Sequence, residues 1–158
     1  MTNEEIAKPV GHIPSGLFIV SLKDGEQMDG YLASWVQQCS FQPLQVAVAI
    51  KPDRPGYEKI IEGHPFSVNI VGEHEMKYLR HFWNGYAPGE SPFKEIDHNI
   101  SENGTIHLTE AKSTIDCRCV DKVTPGDHVI VFAEVIGGKV HEQEAKPKVH
   151  IRKTGLDY

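Results

Sequence analysis

The sequence predicts an all-β domain with two short helices, and three observations carry that expectation. Short runs rich in Val, Ile, Leu and Phe recur along the 158 residues, bounded by Gly, Pro, Asn or Asp. Only two segments place apolar residues at helical spacing. Many short strands with few helices favour a barrel or sandwich over a βαβ sheet.

The elements follow in order. Residues 16–22, G-L-F-I-V-S-L, form the first strand, and Lys23, Asp24 and Gly25 supply a turn. Residues 31–40 read as the second strand. Pro43 can open the third, at 44–50. Pro55 suits the first turn of a helix over 57–62, which Gly63 closes. Residues 65–71 return to strand. A second helix at 73–83 carries Met76, Leu79, His81, Phe82 and Trp83 partly on one side. Residues 84–104 are irregular, and a loop of that length suits an active-site lid or a dimer contact. Strands follow near 105–108, 114–123 and 128–135, the last two joined through Thr124, Pro125, Gly126 and Asp127. Gly137 and Gly138 read as a further turn, and the tail at 148–158 as a final short strand. The whole chain reads as one domain, with residues 1–12 as a flexible arm.

Composition excludes several classes. At 39% apolar and 24% charged, the chain has the make-up of an ordinary globule. No apolar run approaches the roughly 18 residues of a membrane span. The N-terminus is acidic and lacks the apolar core of a secretion signal, so a cytoplasmic location is expected. A net charge of −6 without a long cationic run argues against nucleic acid as partner. There is no G-x-G-x-x-G after a strand, no Walker loop, no C-x-x-C, no H-E-x-x-H and no G-x-S-x-G. Cys117 and Cys119 lie two apart in a strand, at about 6.5–7 Å, too far for an unstrained bridge. Free thiols in a reducing compartment are the natural reading. A zinc site is the rival, although the chain has no second cysteine pair, and no metal ligand set is expected.

The stretch from Gly30 to Tyr57 is the most unusual. Ser34, Gln37, Gln38, Cys39 and Ser40 crowd polar atoms into a strand, where each buried one needs a partner. The smooth apolar run at 44–50 follows, and then a turn carrying Lys51 and Arg54. Together they suit a ligand with a polar ring edge and an anionic tail. Each residue also has a plain reading: Trp35 as core, Ser34 and Ser40 as partners of nearby backbone, Lys51 and Arg54 as a solvated turn.

These segments resemble the flavin reductase-like domain, the FMN-binding split barrel of Greek-key type. I-P-S-G-L-F-I-V is similar to that family's first strand, and A-S-W-V-Q-Q-C-S-F-Q-P to its flavin-contacting strand and loop. H-P-F-S-V-N-I-V and G-D-H-V-I-V-F-A-E-V match further strands. S-W-V-Q-Q-C-S-F and the terminal H-x-R-K-T-G-x-x-Y are especially similar to the flavin reductase domain of phototroph flavodiiron proteins. The chain departs from the commonest pattern in having Ser34 and Trp35 where many relatives have Asn then Ser.

The resemblance implies FMN as cofactor and hydride transfer from NAD(P)H to flavin N5, with electrons passed to free flavin, a diiron protein or another acceptor. It implies that Ala33, Ser34 and Trp35, with Val36 and Gln37 beside them, line the ribityl and phosphate side. Gln38, Cys39 and Ser40 would approach the N5–O4 edge. Lys51 and Arg54 would face the phosphate with Tyr57 close by. His128 would lie beside the nicotinamide or flavin as the catalytic residue, its plain alternative being a strand start after the Asp127 turn. Relatives of this kind are homodimers with flavin near the interface. Two other functions stay open on the sequence: a non-catalytic FMN electron carrier, and a flavin-free β-barrel that serves as an interaction module.

Overall fold

The computed structural model describes all 158 residues, and one antiparallel sheet dominates it. Its strands are β1 (Phe18–Asp24), β2 (Gln27–Ala33), β3 (Val36–Phe41), β4 (Leu44–Ile50), β5 (Phe66–Ile70), β8 (Ser113–Val123) and β9 (Val129–Val140). A separate hairpin pairs β6 (His98–Ile100) with β7 (Ile106–Leu108). The helices are α1 (Asn3–Gly11), α2 (Tyr57–Ile61) and α3 (Met76–Phe82).

The sheet order is β2-β1-β5-β8-β9-β4-β3. Its two edge strands, β2 and β3, are consecutive in the chain and separated only by Ser34 and Trp35. In a flat sheet six spacings of about 4.8 Å would put these edges about 29 Å apart. Three Cα steps from Ala33 to Val36 span at most about 11 Å. The sheet therefore curls into a barrel, and the link lies where the barrel is split. The Ala49 amide donates to the Trp35 carbonyl at 3.0 Å and ties the link to β4.

Two cores hold this shape. Inside the barrel, Val20, Val46, Val48, Ile50, Phe66, Val68 and Val131 are buried together. The period of two along β4 sends Val46, Val48 and Ile50 inward and leaves the small Ala47 and Ala49 on the other face. Outside, Ile19 of β1 packs with Tyr78, Leu79 and Phe82 of α3 and with Phe93, Ile106 and Leu108.

A buried polar network lies between the main sheet and β7. Asn69 donates to the Ile19 carbonyl at 3.1 Å and accepts from the Leu108 amide at 2.9 Å. Asp116 accepts from Thr105 at 2.5 Å, His107 at 2.6 Å and Asn103 at 2.9 Å.

Several expectations are corrected. The chain has three helices rather than two, because residues 3–11, expected as an arm, form α1. Thr2 and Glu5 cap it reciprocally. It docks on the tail through two close approaches: a Cβ on Gly11 would lie 2.6 Å from the Thr154 nitrogen, and one on Gly155 2.7 Å from Val10 Cβ. The expected strand at 31–40 is two strands, broken at Ser34 and Trp35.

Gly137 and Gly138 are not a turn. They lie within β9, where a Cβ on Gly138 would come 2.8 Å from the Thr114 carbonyl oxygen. The tail forms no strand and is held by isolated pairings such as Ser15 with His150. The irregular segment at 84–104 is anchored rather than loose: Phe93 is 2% exposed, and the Gly30 amide donates to the Tyr86 hydroxyl at 2.8 Å.

Candidate active site at the barrel split

Ser34 and Trp35 sit at the centre of the candidate site because they bridge the two barrel edges. On one side of Trp35 a cleft of about 650 Å³ opens between the outward face of β3 and β4 and the wall formed by α1 and the tail. Ser34, Trp35, Val36, Gln37, Ala47 and Ala49 line its barrel side. Val10, Ile13, Lys148 and Arg152 line the other. The Arg152 guanidinium lies 5.1 Å from the centre of the Trp35 ring, within cation–π range.

On the other side of Trp35 the wall belongs to the turn after β4. Lys51 and Arg54 stand there with Tyr31, Ala33, Ser34 and Tyr158 around a void of only about 10 Å³. The turn itself closes through the Arg54 amide and the Lys51 carbonyl at 3.0 Å. Two hydroxyls in this wall, Tyr31 Oη and Ser34 Oγ, are buried without any hydrogen-bond partner. Burial pushes the Tyr31 phenol well above its ordinary range, and nearby Arg54 offsets this only in part. A buried hydroxyl left unpaired costs roughly 1–3 kcal/mol. Two hydroxyl donors beside two cations match the needs of a phosphate, which accepts from both kinds of group.

His128, expected as the start of the strand, lies one residue before β9 and beside the same ring. Its centroid lies 4.8 Å from that of Trp35. Nδ1 is 2.8 Å from Asp127 Oδ1, and Nε2 is 2.5 Å from the Tyr158 hydroxyl. The Asp127 carboxylate can only accept, so in the neutral ring Nδ1 carries the proton and Nε2 accepts from Tyr158. The hydrogen bond from His128 lowers the Asp127 carboxyl below its ordinary value.

The remaining expected residues separate from this group. Tyr57 is buried in the barrel core and lines neither space. Gln38, Cys39 and Ser40 lie on the outer part of β3, where Gln38 and Cys39 are exposed. The expectation that these polar atoms need buried partners is therefore corrected: β3 is an edge strand bulged between Gln38 and Ser40. Cys39, Cys117 and Cys119 are all free, and burial pushes the Cys117 thiol up to about 12. No three His, Cys, Asp or Glu side chains are grouped to hold a metal ion. No helix is long and apolar enough to cross a membrane.

Tyr31, Lys148, Arg152 and Tyr158 were not singled out in the sequence. Tyr158 and Arg152 belong to the H-x-R-K-T-G-x-x-Y motif, whose residues carry no role on the sequence alone.

The flavin reductase like domain model matches residues 10–155. The chain belongs to that family. Diflavin flavoprotein A 3 of Nostoc sp. is 35% identical over 155 residues, covering 98% of this chain and 27% of its own length. Diflavin flavoprotein A 1 of Synechocystis sp. is 33% identical over 157 residues, covering 99% and 27%. This flavin reductase-like domain thus spans about a quarter of the length of these two relatives.

Among solved structures it is similar to the Streptomyces globisporus C-1027 NADH:FAD oxidoreductase SgcE6. The TM-score is 0.83 at 22% identity, over 91% of this chain and 85% of that one. It is also similar to flavin reductase HpaC complexed with NADP+, with a TM-score of 0.79 at 22% identity over 94% of each. Likeness at this identity shows a shared fold, and the split-barrel architecture expected from the sequence is the one observed.

Proposed function

We propose that this domain binds FMN at the split and works as an NAD(P)H-dependent flavin reductase. The observation that carries the reading is the pair of unpartnered buried hydroxyls, Tyr31 Oη and Ser34 Oγ, beside Lys51 and Arg54. Ser34, Lys51 and Arg54 would hold the phosphate. Trp35, Val36, Gln37, Ala47 and Ala49 would receive the ring, the two alanines leaving it room. Bound flavin supplies an N5 that accepts hydride from a nicotinamide, so the protein needs no general base of its own. Its part is to align two rings and exclude water, and His128 stands at the ring side of Trp35 to orient the nicotinamide.

Further parts of the proposal rest on the resemblance together with the surface. A homodimer would cover edge strand β3, where Phe41 is 90% exposed and Gln38, Cys39 and Ser40 would then be enclosed near the ring edge. The relatives' greater length suggests that the electron acceptor lies on a longer chain or on a separate partner such as a diiron protein. Three free thiols suit the reducing cytoplasm.

A second reading, FAD, is favoured by one observation. Lys148 and Arg152 put a second pair of cations in the wide cleft, where a second phosphate could be met. Parallel titrations with FMN, FAD and riboflavin decide between them. Lys51→Ala/Arg54→Ala should weaken FMN at least about tenfold and spare riboflavin, since a charge-assisted bond contributes roughly 1.5–3 kcal/mol. Equal losses for FMN and riboflavin would make the turn structural. FAD binding as tight as FMN binding would favour the second reading. Steady-state NADH and NADPH oxidation with added flavin then separates a reductase from an electron carrier.

A further inference from the structure

Tyr158 lies beside three groups assigned above to the split: Trp35, Arg54 and His128. Its ring centroid lies 5.6 Å from that of Trp35. Arg54 stands 5.6 Å from the same ring and 5.9 Å from the ring of Tyr31. The Tyr158 hydroxyl is held by His128 Nε2 at 2.5 Å. The space left between these groups and the two cations is about 10 Å³, at the lower limit for a single water. A phosphate needs several times that.

The space that Tyr31, Ser34, Lys51 and Arg54 share, which the unpartnered hydroxyls border, is therefore suited to an anion but too small to receive one while Tyr158 is seated. On its other flank Tyr158 borders a cavity of about 180 Å³ walled mainly by Leu17, Leu32, Phe82 and Trp83, which Ser34 and Arg54 also reach but Tyr31 and Lys51 do not, and into which the ring can turn. Tyr158 is half exposed.

We propose that Tyr158 is a specificity-determining residue: an internal competitor that occupies the anion position at Arg54 and must swing aside before a phosphorylated flavin binds. This deepens the function proposed above and rests on it. The phenol–Arg54 contact and the bond to His128 stabilise the closed position. The apparent affinity for FMN is then the intrinsic one reduced by the fraction of molecules that are open. Riboflavin lacks the phosphate, does not need the Arg54 position, and escapes that reduction. Ligands without a strong anion thus gain nothing from opening the site, while FMN replaces the phenol with a better partner for the cation.

The test is calorimetric titration of FMN and riboflavin into wild type, Tyr158→Ala and Tyr158→Phe. Tyr158→Ala should bind FMN about tenfold tighter, with riboflavin unchanged within about twofold. Tyr158→Phe keeps the ring and loses only the bond to His128, so it should show a smaller tightening in the same direction. Unchanged or weaker FMN binding by Tyr158→Ala, with wild type still binding FMN, overturns the competitor and leaves the flavin site standing. Equal tightening of FMN and riboflavin also overturns it, since the phenol would then block the ring rather than the phosphate. If no form binds either flavin, the proposed function fails and the competitor falls with it.

Discussion

Two polar clusters in this barrel differ in how completely they are satisfied. Around Asp116 the buried donors are met: Thr105 and His107, joined by the exposed Asn103, all donate to one carboxylate. Nearby, Ser21, Ser67 and Asn69 bond to one another and to the Ile19 and Ile106 carbonyls. At the split, Tyr31 and Ser34 are as deeply buried but meet nothing. A closed network rigidifies and specifies packing, whereas an open one costs free energy until something completes it. The first cluster belongs to folding; the second is the one that the proposed flavin would complete.

The largest expected effect breaks the satisfied cluster. Asp116→Ala leaves the buried Thr105 and His107 donors facing an emptied site and should destabilise the domain by roughly 3–5 kcal/mol, read by urea denaturation. A loss below about 1 kcal/mol would mean that the network contributes little and that the contrast between the clusters is false.

The same carboxylate sets a pH dependence. Burial alone would raise its pKa, but the hydrogen bonds from Asn103, Thr105 and His107 outweigh that and hold it below the ordinary 3.8. Because the folded value is the lower one, its stabilising contribution is present above that pH and is lost as pH falls below it. Urea midpoints measured from pH 6 down to pH 3 should drop more steeply in wild type than in Asp116→Asn, and parallel curves would remove Asp116 from the account.

The open cluster should respond in the opposite sense. Ser34→Ala and Tyr31→Phe delete a buried hydroxyl that has no partner, so the flavin-free protein should keep its stability or gain up to about 1 kcal/mol. FMN affinity should fall by about five- to fiftyfold if the hydroxyls meet the phosphate. A variant that loses stability and keeps its FMN affinity would make that hydroxyl structural.

The smallest change in FMN affinity is expected at His128. His128→Ala should cost about 0.5–1.5 kcal/mol of stability. In stopped-flow reduction of FMN-saturated protein it should lower the rate constant more than it changes the FMN dissociation constant. An unchanged rate at both low and saturating nicotinamide would leave the residue as the lead-in to β9 alone.

Much of the barrel was legible in the residues themselves. The run at 44–50 and the β8–β9 hairpin through Pro125 and Gly126 appear where alternation and turn chemistry put them. Local signals suffice there, because each element is decided by its own side-chain period and its own turn residues. The cationic turn was also visible, and it came to lie beside Ser34 and Trp35. What failed was what depends on a neighbour: α1 needs the tail at Gly155 to dock on, and Gly138 needs the Thr114 carbonyl to explain it.

By itself, then, the sequence determined the strand inventory, the membership in a flavin reductase-like family and the polar strand next to two cations. Only the tertiary structure decided which of those polar groups share a space. It exposed Gln38 and Cys39 on an edge, sank Tyr57 into the core, and carried Tyr158 from 123 positions downstream of Trp35 into contact with it. The physical reason is the curl of the sheet. Closing the barrel through Ser34 and Trp35 brings β2, β4 and the tail to one point, and no local pattern records which side chains will meet where two edges of a sheet come together.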